Sequence, residues 1–336
     1  MADPNKWLGL MKWSMKYSDG TAPSEFKEIT KEDRDFLEKV LKEGVIDENE
    51  RMRQILRILQ GEHPNDVFAK DDEDDDEEDA EPKKQLEEAT EEELADYKDA
   101  LLDELLTRVD QIDNAMNFVK MKGLPVLIDV MQKNDRASTR ALAAEVASVV
   151  VQNNPFCQNA AVECGLVEVL CALANDEDAT CRAKSLLAIS CLVRHHAAAE
   201  ARFLSQSCDG LTILESFLKA ADDLRLQRKA LFFVRYLMRS SSETAQAFLA
   251  NEFFIPTAAS LIANDDIDLS ESSLEALTEF ASLGEAFTAA CKQPKYALVD
   301  ALSDRIAQIE QMNAEEKEFH LEIANFARNL KNILSA

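Results

Sequence analysis

The chain has 336 residues, 46% of them hydrophobic, with only 8 Gly and 8 Pro; this allows one extended or two compact domains, and the dominance of Ala, Leu, Glu and Lys favours helix over strand. Acidic residues number 64 against 37 basic ones, a formal charge of −27, which repels phosphate backbones and excludes nucleic acid as the expected partner. No apolar stretch reaches the ~18 residues of a membrane span, and no basic segment followed by an apolar run opens the chain as a secretory signal would, so a cytoplasmic, membrane-free protein is expected.

Residues 1–24 read as a flexible segment around Trp7-Leu8-Gly9-Leu10-Met11-Lys12-Trp13-Ser14-Met15-Lys16-Tyr17, too small to fold alone. Residues 25–65 read as two helices. Thr30 with Asp33 caps the first, whose stripe is Phe36, Leu37, Val40 and Leu41 and whose stop is Gly44. The second carries Met52, Ile55, Leu56 and Leu59 and ends before Gly61. Residues 66–89 form a disordered loop around an unbroken acidic run at 71–79, because like charges this dense cannot pack. Residues 90–122 read as N-terminal capping helices. Thr90 with Glu93 opens a run in which Leu94, Leu101, Leu102, Leu105, Leu106, Val109 and Ile112 face inward.

A repeat fills 123–290. Glu145, Leu187, Phe232 and Glu275 stand at matching places in four long apolar helices, 42, 45 and 43 residues apart. A short apolar helix precedes each, opened by Gly123, Gly165, Gly210 or, in the fourth, Phe253-Phe254. The turns between short and long helix are Asn134-Asp135, Asn175-Asp176, Asp222-Asp223 and Asn264-Asp265-Asp266. One such unit cannot bury its own apolar face, whereas four stacked units make a continuous core. Residues 291–336 read as C-terminal capping helices, with Asn313 and Glu316 as a cap and Phe319, Ile323, Phe326, Leu330 and Ile333 on one face. The expected fold is all-α, an armadillo-like right-handed superhelix of about four repeats between helical caps.

Groups for chemistry are sparse. Neither GxGxxG nor GxxxxGK[ST] occurs. His195-His196 lacks a second ligand pair. Cys157, Cys164, Cys171, Cys181, Cys191, Cys208 and Cys291 are odd in number and sit in apolar patterns, as free thiols packed as small hydrophobes do. No catalytic residue, cofactor or metal is expected, so the chain is read as a binding protein, not an enzyme.

What remains is a surface. Superposing the long helices gives a polar stripe: Glu145, Ser148, Gln152; Leu187, Ser190, Arg194; Phe232, Arg235, Arg239; Glu275, Thr278, Ser282. The i, i+3, i+7 spacing sets each triplet on one helix face, and in a solenoid the last helices of successive units line the concave wall. With Asn153 at the end of its helix, this stripe is the candidate partner-binding face. Arg194, Arg235 and Arg239 cluster on it, either to meet a partner or to balance neighbouring acids.

Several motifs in order resemble one family. Leu10-Met11-Lys12-Trp13-Ser14 with Ser18-Asp19-Gly20-Thr21 is similar to the opening of the Fes1-type, or heat-shock-protein-70-binding protein 1, family. Arg140 to Pro155, ending Val151-Gln152-Asn153-Asn154-Pro155, resembles its first armadillo unit. Ile189-Ser190-Cys191-Leu192-Val193-Arg194-His195 and Leu226-Gln227-Arg228-Lys229-Ala230-Leu231 resemble the next two. The likeness covers residues 7–60 and 90–290, and the acidic run departs from it. It implies a nucleotide exchange factor for heat-shock protein 70 that curls around one lobe of the chaperone's ATPase domain and displaces the other, so that ADP leaves. It also implies an N-terminal segment, here Leu10, Met11, Lys12, Trp13 and Ser14, that competes at the chaperone's substrate-binding domain and releases client. The expected protein is a monomer with the chaperone as partner; the alternative is an armadillo adaptor holding an extended peptide in its groove.

Overall fold

A computed structural model describes residues 30–35, 47–68 and 89–335, and the chain divides into two compact units, 1–75 and 76–336. The aromatic stretch at 7–17 with Leu10, Met11, Lys12, Trp13 and Ser14, the stripe from Phe36 to Leu41, Gly44 and the acidic run at 71–79 lie outside the described residues.

In the first unit, the Thr30 hydroxyl accepts from the Asp33 backbone N–H at 3.1 Å and donates to the Asp33 carboxylate at 2.6 Å, as the expected cap requires. Helix α1 (Glu48–Leu59) starts at Asp47, whose carboxylate accepts from the backbone of Asn49 and Glu50, and it buries Met52, Ile55, Leu56 and Ile58. Helix α2 (Pro64–Phe68) follows, with the Arg51 guanidinium 5.6 Å over the Phe68 ring.

In the second unit every element among the described residues is helical. Helix α3 (Glu91–Val109) begins with a complete capping box, Thr90 to Glu93. Three-helix units come next. The first is α4 (Ile112–Lys120), α5 (Gly123–Lys133) and α6 (Ala137–Val151). The second is α7 (Pro155–Glu163), α8 (Leu166–Leu173) and α9 (Ala179–Val193). The third is α10 (Ala197–Phe203), α11 (Gly210–Leu218) and α12 (Leu224–Ser240). The fourth is α13 (Ser242–Asn251), α14 (Phe254–Leu261) and α15 (Ile267–Ala281). The chain continues through α16 (Glu285–Cys291), a 3-10 turn (Pro294–Tyr296), α17 (Leu298–Gln311), α18 (Ala314–Phe319) and α19 (Leu321–Ser335).

The long helices pack in series: α3 on α6, α6 on α9, α9 on α12, α12 on α15 and α15 on α19. A second row runs through α11, α14 and α17. This is the all-α, armadillo-like stack that the repeat predicts. The acidic turns open the long helices: Asp178, Asp223 and Asp266 each accept a backbone N–H of the first turn at 2.8 Å, satisfying donors that a helix start leaves orphaned. Those N–H groups hold the Asp178 carboxyl below the usual carboxylate range.

Two positions read as inward-facing turn outward. Ile112 is 70% exposed because it begins α4 at a corner instead of continuing α3. Phe319 is equally exposed. The chain breaks at His320, so α19 buries Ile323, Ala324, Ala327, Leu330 and Leu334 while Phe319 stays on α18.

Close approach fixes one glycine in the third unit. A Cβ on Gly210 would lie 2.6 Å from the Phe203 ring and equally near the Phe203 carbonyl oxygen, and Phe203 is fully buried. Gly210→Ala is expected to destabilise the protein by about 1–3 kcal/mol, read as a lower denaturant midpoint with an unchanged slope; an unchanged midpoint would mean that the ring moves aside at no cost.

Candidate functional site

The polar stripe follows the long helices, and its residues fall into three groups. Glu145 on α6 forms an ion pair with Lys184 on α9. At the far end, Arg235 on α12 donates through Nη1 to the Glu275 carboxylate at 2.5 Å and through Nε to Glu279 at 2.9 Å. Arg239 adds a second bond to Glu279, also 2.9 Å. Two arginines and two glutamates thus neutralise one another across the α12–α15 joint. The Arg235–Glu279 pair is the sheltered part, with side chains 22% and 20% exposed, so water screens it less than a surface pair, while Arg239 at 57% lies open to solvent.

The third group lies between them, where α9 meets α12. Arg194 caps α9, and its backbone carbonyl accepts from the buried Gln158 amide at 3.2 Å. Its Nε donates to the Ser190 hydroxyl at 2.9 Å. The guanidinium carbon lies 4.7 Å from the Phe232 ring centre and 5.1 Å from that of Tyr236. Tyr236 is fixed in turn: its hydroxyl accepts from the His195 backbone N–H at 2.6 Å, and its ring stacks on the buried Phe233. Phe232 is 60% exposed. The arginine is therefore held at three points, two rings and a hydroxyl, with its outer nitrogens turned to no carboxylate among the described residues.

One candidate leaves the surface. Ser148 is 3% exposed and returns its hydroxyl to the Glu145 carbonyl at 2.7 Å. It is buried because α6 is sandwiched between α3 and α9, so the face that spacing assigns to solvent meets a neighbour instead. Gln152 and Asn153 are exposed at the α6–α7 corner, where Asn153 adopts φ +52°; among the described residues no hydrogen bond or ion pair joins them to the other candidates. Thr278 and Ser282 bond to carbonyls of their own helix.

Tyr236, Glu279 and Lys184 were absent from the stripe. Tyr236 and Glu279 stand one helical turn beyond Phe232 and Glu275, so an i, i+4 extension reaches them. His195 and His196 serve the backbone: His195 has φ +59°, and His196 Nδ1 accepts from the Ala199 N–H at 3.1 Å to start α10. Burial pushes the thiols up, Cys157 and Cys181 to about 11 and Cys291 to about 12, as packing residues rather than nucleophiles require. Arg235→Glu sets a third carboxylate against Glu275 and Glu279. It is expected to cost about 1–3 kcal/mol, seen as a lower Tm, whereas Arg235→Met costs less; equal Tm values for both variants and the parent would deny the staple.

Residues 114–254, which run from α4 through the third unit into the fourth, match the family model described as the SIL1/FES1/HPBP1 C-terminal domain. The chain is 26% identical over 226 residues to the Hsp70 nucleotide exchange factor FES1 of Scheffersomyces stipitis, covering 65% of this chain and 78% of that protein. It is 23% identical over 320 residues to the Hsp70-binding protein 1 of Homo sapiens, covering 94% and 82%. Among solved structures it is similar to the designed armadillo repeat protein YIII(Dq)4CqI, with a TM-score of 0.55 at 13% identity over 75% of this chain and 97% of that one; a likeness this remote in sequence bears on fold alone. Over residues 114–254 the chain is thus similar to the SIL1/FES1/HPBP1 C-terminal domain.

Proposed function

We propose that this protein is a nucleotide exchange factor, a co-chaperone of heat-shock protein 70 in the cytoplasm, acting as a monomer and by binding alone. The observation that carries this reading is the alignment with Hsp70-binding protein 1 along 94% of the chain, which spans all four units and the stripe on their long helices. In this reading the stripe grips one lobe of the chaperone's ATPase domain in its open form. Linkage then does the work: a partner that prefers the ADP-free, open lobes weakens ADP binding by the same factor by which ADP weakens it. A ~100-fold release needs a differential of ~2.7 kcal/mol, within reach of a few interface hot spots, and no acid, base or nucleophile is required.

The N-terminal residues Leu10, Met11, Lys12, Trp13 and Ser14 complete the proposal as a client mimic for the substrate-binding domain. An apolar stretch with one cation resembles an extended, unfolded segment, the form in which a chaperone meets its clients. Stopped-flow release of a fluorescent ADP analogue from a heat-shock protein 70 tests the core of the reading: acceleration of at least about tenfold at micromolar protein is expected, and no acceleration would refute it. Deletion of residues 1–24 is expected to leave that acceleration intact while slowing release of a labelled client peptide; normal client release by the shortened chain would remove the second role.

A further inference from the structure

The stripe carries several cations, but the structure does not leave them equally available. Arg235 and Arg239 are neutralised by Glu275 and Glu279, and Lys184 by Glu145. Arg194 alone among the stripe's arginines meets no carboxylate among the described residues; its side chain meets Ser190 and two aromatic rings. In a chain of charge −27, acids are not scarce, so an arginine kept from them is notable. Contact with the Phe232 and Tyr236 rings and the Nε bond to Ser190 hold the guanidinium in place before anything binds. Pre-organisation of this kind removes the entropy an arginine otherwise loses on docking. The outer edge of the guanidinium is a two-pronged donor that suits a carboxylate, and an aromatic ring flanks it with most of its surface still exposed.

We infer that Arg194, Phe232 and Tyr236 form a receptor for one acidic side chain on the surface of the folded partner, with an apolar neighbour of that acid resting on Phe232. The inference rests on the exchange-factor reading for the identity of the partner, but its chemistry comes from the geometry alone. It also divides the stripe into two kinds of arginine: Arg194 binds outward, while Arg235 and Arg239 hold the units together.

The test uses the full chain and a full-length heat-shock protein 70 in its ADP state. Binding is measured for the parent, Arg194→Gln, Arg194→Lys and Phe232→Ala, with far-ultraviolet circular dichroism and Tm as checks on folding. Arg194→Gln keeps length and loses the charge, and at least about a tenfold loss of affinity is expected, with a smaller loss for Arg194→Lys and for Phe232→Ala. The lysine variant then serves as a probe: a carbodiimide joins an amine to a carboxylate only when the two touch, and mass spectrometry should find position 194 coupled to one Asp or Glu of the chaperone. Unchanged affinity in Arg194→Gln overturns the inference. So does a loss of affinity without any coupling at position 194, which would assign Arg194 to holding the aromatic rings. A parent chain that fails to bind the chaperone at all sinks the exchange-factor reading instead; coupling of the lysine variant to some other acidic protein would then be required to keep the receptor.

Discussion

Helix α6 buries Thr139, Ala141, Ala143, Ala144, Val146, Ala147, Ser148, Val150 and Val151, side chains that cover most of its circumference. A helix apolar nearly all round is stable only inside something, and here that means between α3 and α9. The small residues on it let the flanking helices come close, and α9 repeats the arrangement with Ser185, Leu186, Ala188, Ile189, Leu192 and Val193 buried. Neither unit has a folded form of its own in which these faces are covered. The stack is therefore the unit of stability, and the end helices α3 and α19 matter because each gives the row a face that water can tolerate.

The joints between units are also electrostatic, and they are not alike. Arg136 reaches back to Asp96 at 2.6 Å, Arg140 forward to Asp176 through two bonds of 2.9 and 3.0 Å, and Arg228 forward to Asp268 at 2.5 Å. Arg182 occupies the matching place in the second unit and, as Arg140 does with Asn134 and Asp135, donates to the carbonyls of its own turn, Asp176 and Glu177, but it pairs with no carboxylate of the third unit among the described residues. The joint between the second and third units is bridged by an ion pair from Arg202 on α10 to Glu168 on α8, by Arg194 on Phe232 and Tyr236, and by the His195 N–H on the Tyr236 hydroxyl. The turn between α10 and α11, residues 204–209, is longer than the matching turns between α7 and α8 and between α13 and α14, and it contributes most to the 45-residue step from Leu187 to Phe232 where the neighbouring steps are 42 and 43.

Much of this was legible in the residues. Capping boxes at Thr90 and Asn313, the acidic or Asn-containing turns ahead of the long helices and the period of the repeat are short-range sequence signals. The short first helices α4, α7, α10 and α13 were not visible as separate elements, because runs of 7 to 10 residues with few large apolar side chains give little periodicity. The stripe was half legible. Spacing found Ser190, Arg194, Phe232 and Arg235, since they lie on one face of α9 or α12. It misread Ser148, because spacing within a helix does not say how many neighbours that helix has. It missed Glu279 and Tyr236, which decide whether each arginine is spent or available, because that depends on contacts more than 40 residues apart in sequence.

A strongly acidic chain with a receptor for an acid contains a tension that range resolves. At physiological ionic strength the Debye length is about 8 Å, so the net charge of −27 reaches a partner only weakly beyond the first layers of water. Contact is decided within a few ångströms, where one guanidinium held against two rings outweighs carboxylates a helix away that are already paired. What the acidic surround still does is discriminate. An acidic partner face is repelled as a whole, and a face of mixed sign is accepted if its one carboxylate meets Arg194 while its cations face the remaining acids of this chain. The net charge of this surround contributes more to partner choice and encounter rate than to affinity, and the affinity rests on the short-range contact at Arg194, with the exposed ring of Phe232 beside it.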